Sequence, residues 1–281
     1  EVSLDSLQKE YGYFWEVYHQ YILSFPSDSS FAEALKSFQQ DSSYQKVYAD
    51  IKNTFADFEV HEQELTAAIQ RYNHHFPNRI TPRVVTFYGA FNFPVANTDS
   101  IIGIGLEMFL GKESDYYQKL GDKYPSYMHQ QFQPNYMTAL AMKGWLETEY
   151  PTMQQNFLSQ MLQKGRLQYV LAQLLPNTPD SILMGYTKKQ IEWCEASEFS
   201  IWQFFIQENL LYTNKHEQII KYIQPAPFSG RMPKESPGRV AVWSGWQIVK
   251  AYMDRHPSTT LQELMAIADA QLLLKESKYK P

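Results

Sequence analysis

The sequence predicts one α+β domain over residues 1–281, predominantly helical, with a small antiparallel sheet of two to four strands in about 80–110. Three observations predict it. Apolar and aromatic residues recur at three- and four-residue spacing through 1–76 and again through 134–281, as they do on amphipathic helices. Between these stretches, residues 80–87 (ITPRVVTF) are rich in β-branched and aromatic side chains, and residues 100–110 (SIIGIGLEMFL) alternate. No Gly/Ser linker, charge block or internal repeat divides the chain, and helices set apart from a sheet are the α+β pattern.

Each element has a local reason. In 4–23, Leu4, Leu7, Tyr11, Phe14, Tyr18 and Tyr21 form one stripe and predict one helix. It ends at Phe25-Pro26, because Pro lacks a backbone donor and disfavours helix in the residue before it. Asp28, Ser29 or Ser30 supplies the N-cap of a helix starting near Phe31. Helices follow over about 44–58 and 61–75, stopped by Phe76-Pro77-Asn78. In the second strand Ile102, Ile104, Leu106, Met108 and Leu110 share one face, with Gly103, Gly105 and Glu107 on the other. Asn97-Thr98-Asp99 makes the turn before it. From Pro134 onward, helices are expected over 135–149, 151–164, 165–175, 188–211, 216–223, 237–254 and 260–276. Pro151 suits a first turn, and 177–180 form a loop.

Composition excludes several classes. With 44% hydrophobic residues and 15% aromatic, the chain can bury a core and is not disordered. A net charge of -5 argues against binding nucleic acid, which needs a basic stripe. A single cysteine, Cys194, excludes a disulfide framework and a multi-thiolate zinc site. No apolar run approaches the roughly 20 residues that span a bilayer. Glu1 to Asp5 lack the basic-then-apolar pattern of a signal peptide.

The chemical motifs are incomplete. His61-Glu62-Gln63-Glu64-Leu65 begins like the helical zinc motif His-Glu-x-x-His, but Leu65 stands at the second His position. His74 and His75 are adjacent, about 100 degrees apart on a helix, and cannot chelate as an i, i+4 pair does. Gly103-Ile104-Gly105 and Gly111 lack the spacing and the Lys-Ser/Thr of a phosphate loop; glycine within a strand marks a bulge or another backbone close by. Cys194, on an apolar helix face, reads as an inert buried thiol, and no Gly-x-Ser-x-Gly elbow is present. On the 188–211 helix Glu198 falls amid apolar residues, where a carboxylate needs a partner, and Arg239 is the expected cation. The 237–254 helix is apolar almost all round, so it should lie centrally, with Gly245 admitting another element between Trp243 and Trp246. Trp243, Trp246, Tyr136, Lys164 and Tyr169 are the candidate pocket or core residues.

Several strings resemble the gliding-motility lipoprotein B (GldB-like) family. They include 104–111 (IGLEMFLG), 174–181 (LLPNTPDS), Gly185-Tyr186-Thr187 with Trp193-Cys194, 225–228 (PAPF), 235–239 (ESPGR), 245–249 (GWQIV) and 277–281 (SKYKP). The resemblance covers essentially the whole chain and is densest after Leu174. It implies a cell-envelope protein, lipid-anchored to the outer or inner membrane through an N-terminal cysteine that would precede Glu1. Its partners would be other envelope or motility-machinery proteins. The family brings no defined catalytic residues, so a non-catalytic role without cofactor or metal is expected. A more distant similarity, to zincin-type zinc proteases, would imply a degenerate zincin-like fold. Ala139, Met142 and Lys164 then stand where His, His and Glu would bind zinc. The alternative expectation is accordingly a hydrolase or metallopeptidase relative with residual activity.

Overall fold

A computed structural model describes residues 4–25, 31–153 and 156–281. The expected Pro26 stop and the Asp28–Ser30 cap lie outside the described residues.

The N-terminal helix is interrupted. Helix α1, Leu4–Tyr11, ends at Gly12, whose φ of 51° takes it out of helical geometry. Helix α2, Tyr13–Glu16, then widens into a π-helical segment, Val17–Ile22. Phe14 of α2 is buried against Gly103 of β3 and Ile22 beside Gly89, and the Tyr18 hydroxyl donates to the Tyr88 carbonyl. Helices α3 (Phe31–Gln40), α4 (Ser42–Thr54) and α5 (Glu59–His75) follow. Asp41 caps α4 by accepting from the Ser43 and Tyr44 amides.

The sheet has three strands: β1 (Arg83–Phe87), β2 (Val95–Asn97) and β3 (Ile101–Gly105), in the order β1-β3-β2. It is mixed rather than antiparallel. β2, a strand the sequence did not predict, pairs antiparallel with β3 across the expected 97–99 turn, but β1 runs parallel to β3, with Arg83 opposite Ile101 and Phe87 opposite Gly105. The cause is the connection after β1. Residues 88–94 are too many for a tight hairpin and carry the chain across one strand's width, leaving the central slot that β3 fills. β3 is buried throughout, and its glycines allow the contacts expected of them. A Cβ on Gly103 would lie 2.5 Å from the Ala96 carbonyl oxygen and 2.6 Å from the Phe14 ring; one on Gly105 would lie 2.4 Å from the Phe93 carbonyl oxygen.

The strand expected to reach Leu110 stops at Gly105. Residues Leu106–Phe109 turn into a 3-10 segment, which buries Glu107 completely. Short helical turns, including α6 (Asp115–Gln118), lead to α7, Met137–Glu149.

In the C-terminal half, α8 runs unbroken over Phe157–Leu174, where the sequence predicted two helices divided at Gly165; Pro151 precedes it, and Asn156 is the cap. Gly165 is a crossing point, not a boundary. Its absent Cβ would lie 2.3 Å from the Gly245 carbonyl carbon, and a Cβ on Gly245 would lie 2.2 Å from the Met161 carbonyl oxygen. Conversely, the helix expected over 188–211 divides at Ser197 (φ -107°, ψ 7°). After α9 (Asp180–Met184) come α10, Lys188–Ala196, opened by a Thr187/Gln190 capping box, and α11, Glu198–Gln207. Helix α12 is His216–Ile223, and α13 is Val240–Arg255, buried along most of its length as expected. Helices α14 (Leu261–Ala266) and α15 (Ala270–Ser277) close the chain. One continuous apolar cluster extends from Val47 through α5, β3, α7, α8 and α13 to Leu273.

Candidate functional site

One set of polar residues, two of them without a hydrogen-bond partner among the described residues, meets where α7, α8 and the start of α13 converge. Both α7 and α8 are largely apolar, yet each carries an i, i+4 polar pair: Lys143 with Glu147, and Lys164 with Gln168. The helices turn these pairs toward one cavity of about 160 Å³. Its wall is completed by Arg239 and Val242 at the start of α13 and by Ile223, Gln224 and Pro225 after α12.

Charge in the cavity is unbalanced. Lys164 Nζ and Glu147 Oε1 pair at 2.8 Å. Arg239 is buried and held by two contacts: it donates to the Met184 carbonyl, and its guanidinium lies 5.6 Å from the centre of the Tyr186 ring. The Tyr186 hydroxyl is fixed in turn by donating to the Gly238 carbonyl at 2.6 Å. Arg239 itself adopts a left-handed conformation (φ 62°) at the N-cap of α13. Lys143, partly buried, has no hydrogen bond or ion pair among the described residues. Gln168 is 2% exposed, and its Nε2 has no hydrogen-bond partner. Three cations therefore face one carboxylate. Burial, aided by Arg239 and Lys164 and opposed by Glu147, pushes the Lys143 ammonium down to about 7. Burial alone would raise the Glu147 carboxyl, but Lys143, Lys164 and Arg239 together hold it below the usual carboxylate range.

The predicted residues fare differently. Lys164 lines the cavity. Trp243, Trp246 and Tyr136 belong to the core, at 3%, 1% and 4% exposure, and Tyr169 packs at its margin. The expected Glu198–Arg239 pair does not form. Because the helix breaks at Ser197, Glu198 opens α11, only partly buried, and accepts from the Tyr279 hydroxyl at 2.8 Å, while Arg239 faces the cavity. Cys194 is buried, and burial raises its thiol, as an inert cysteine requires. His61 packs its ring on Phe55 and Phe58. Among the described residues, no three His, Cys, Asp or Glu gather as metal ligands, and no helix is long and apolar enough to cross a membrane.

The sequence reading missed Lys143, Glu147 and Gln168. Their signal was available as two i, i+4 polar pairs in helices otherwise made for a core. It also missed Glu107. That carboxylate sits fully buried beside the loop after β1, with Oε1 accepting from the Gly89 and Phe91 amides at 2.8 and 3.1 Å and Oε2 unpartnered. Burial pushes it up to about 7, against the two amide hydrogen bonds that favour the charged form.

The family model for gliding motility protein GldB matches residues 1–281. No curated protein matches, and no solved structure does.

Proposed function

The chain belongs to the gliding motility protein GldB family, and from that premise we propose a lipid-anchored envelope protein that supports motility or surface-secretion machinery by binding other envelope components, without catalysing a reaction. The observation that carries this reading is the extent of the match, which runs from the first residue to the last. The cavity chemistry supports only the expectation that no zinc is bound there. Zinc needs three or four converging N, O or S donors, whereas Lys143, Lys164 and Arg239 bring three cations that would repel a divalent ion. A membrane contact through a lipid anchor agrees with a chain whose described helices are all too short or too polar to span a bilayer.

The test uses the full-length lipidated protein in a gliding member of its own lineage. Deleting the gene should abolish gliding, and restoring the protein with a capture tag should recover motility together with co-purifying envelope proteins. The purified protein, equilibrated with Zn²⁺ and dialysed, should retain no stoichiometric metal. One retained equivalent, with peptide hydrolysis lost on chelation, would overturn the non-catalytic reading in favour of the hydrolase. Unimpaired gliding after deletion would overturn the motility role.

A further inference from the structure

The cavity between α7, α8 and α13 has features that a solvated lysine cluster lacks. The first is charge. With Lys143 protonated, as a bound anion would hold it, Lys143, Lys164 and Arg239 against Glu147 leave two net positive charges in a recess walled by Leu146, Leu167 and Val242, where low polarity strengthens electrostatic attraction. The second is unspent donors. Lys164 is committed to Glu147 and Arg239 to Met184, but Lys143 has no partner, and Gln168 Nε2 is buried without one. An orphaned buried amide donor destabilises the fold unless something accepts from it. The third is size. At about 160 Å³ the cavity is well below the roughly 300–1,000 Å³ typical of a drug-sized ligand, yet ample for a tetrahedral oxyanion. The start of α13, with the positive end of its helix dipole, borders the same space.

We propose that this cavity binds a phosphate group, inorganic or as a monoester, held by Lys143 and Arg239 and by the Gln168 amide, whose enclosed Nε2 turns toward the anion, with Lys164 kept in place by Glu147. A phosphate monoester carries about −1.5 to −2 charges near neutrality, which matches the excess of two that the cavity has once the bound anion keeps Lys143 protonated. A lysine serves phosphate as a point charge and needs no bidentate geometry, which suits an unpaired Lys143. A carboxylate would leave about one positive charge uncompensated. The proposal depends on the cavity alone, so it stands or falls separately from the motility role.

The experiment titrates the intact purified protein with inorganic phosphate against chloride at equal ionic strength, following heat release and Tm. Phosphate stabilises many proteins by exclusion from their surface, so the informative result is a saturable effect that a cavity variant lacks. Lys143→Met should weaken phosphate binding roughly 10- to 100-fold, the range for losing a charged hydrogen bond. Gln168→Leu should weaken it as well while keeping or raising Tm without phosphate, because it removes the orphaned amide. Exposed Lys46→Met should leave binding unchanged. A second arm measures binding to phosphatidylcholine vesicles with and without phosphatidate. Phosphatidate-dependent binding competed by inorganic phosphate identifies a lipid headgroup, and saturable phosphate binding without vesicle binding identifies a soluble phosphate. No saturable effect, or equal effects in wild type and both cavity variants, would overturn the proposal.

Discussion

Glu107 shows what one residue can do to the pH response of a whole fold. It is fully buried with one oxygen bonded to two amides and the other unpartnered, and the tyrosines Tyr18, Tyr88, Tyr117 and Tyr124, neutral at ordinary pH, lie within electrostatic reach of it. Its carboxyl is raised from 4.5 to about 7 on folding. A raised pKa means that the folded state holds a proton the unfolded chain has released. The contribution to stability is therefore complete below about 4.5 and is lost as pH rises through 7. The loss amounts to roughly 3 kcal/mol. Glu107→Gln keeps a carbonyl for the Gly89 and Phe91 amides but cannot ionise. Urea unfolding at a series of pH values should show wild type declining between about pH 4.5 and 7 relative to this variant. Parallel profiles would show that Glu107 does not titrate in that range.

At the scale of elements, the contact between α8 and α13 fixes the centre of the protein. Gly165 and Gly245 bring the two backbones together, and a methyl at Gly245 would lie 2.2 Å from the Met161 carbonyl oxygen, which belongs to a helix and cannot yield as a side chain can. Gly245→Ala should cost about 3 kcal/mol or more, at the upper end of overpacking, although alanine is the better helix former. Gly144 on α7 makes the comparison. Its added Cβ would meet only side-chain atoms of Val95 and Asn97, at 3.0 and 3.1 Å, so small rotamer shifts can admit it. Gly144→Ala should therefore change stability by less than about 1 kcal/mol, helix propensity offsetting the contact. Chemical denaturation of both variants checks the ranking. Equal losses would refute the backbone contact at Gly245. The same crossing brings the Lys164–Gln168 face of α8 opposite Arg239, so displacing it should also weaken the phosphate site.

Over the whole molecule, one apolar cluster joins segments on both sides of the sheet. Val47 and Ile51 of α4 share it with Trp145 of α7, Leu171 of α8, Ile248 of α13 and Leu273 of α15. Helices predicted as two separate groups, in 1–76 and 134–281, therefore have no independent interiors. Thermal unfolding followed by far-ultraviolet dichroism and by tryptophan fluorescence should give one coincident transition, since Trp145 and Trp246 are both buried in that cluster. Two separated transitions would mean that the halves fold apart.

The sequence by itself determined the class of fold, the helical halves, the small central sheet and the family, because periodicity and idiosyncratic strings are local properties of the chain. It also placed the glycines of β3 and Gly245 correctly as close-approach points, since a missing side chain within an apolar pattern has few other uses. Tertiary structure decided the rest. Gly165 does not divide its helix, because it sits inside α8 where α13 crosses, whereas the 188–211 stretch breaks at Ser197, which helical periodicity did not show. The direction of β1 follows from how 88–94 cross the sheet, and a period of two is the same in either direction. Burial of Glu107 required the chain to leave the strand at Gly105. The cavity needed Lys143, Glu147, Lys164, Gln168 and Arg239 from three helices, up to 96 residues apart along the chain (239 − 143), to share one space. Local spacing can show that such polar residues are out of place on an apolar helix. Only the crossing of α8 and α13 determines that they face one another.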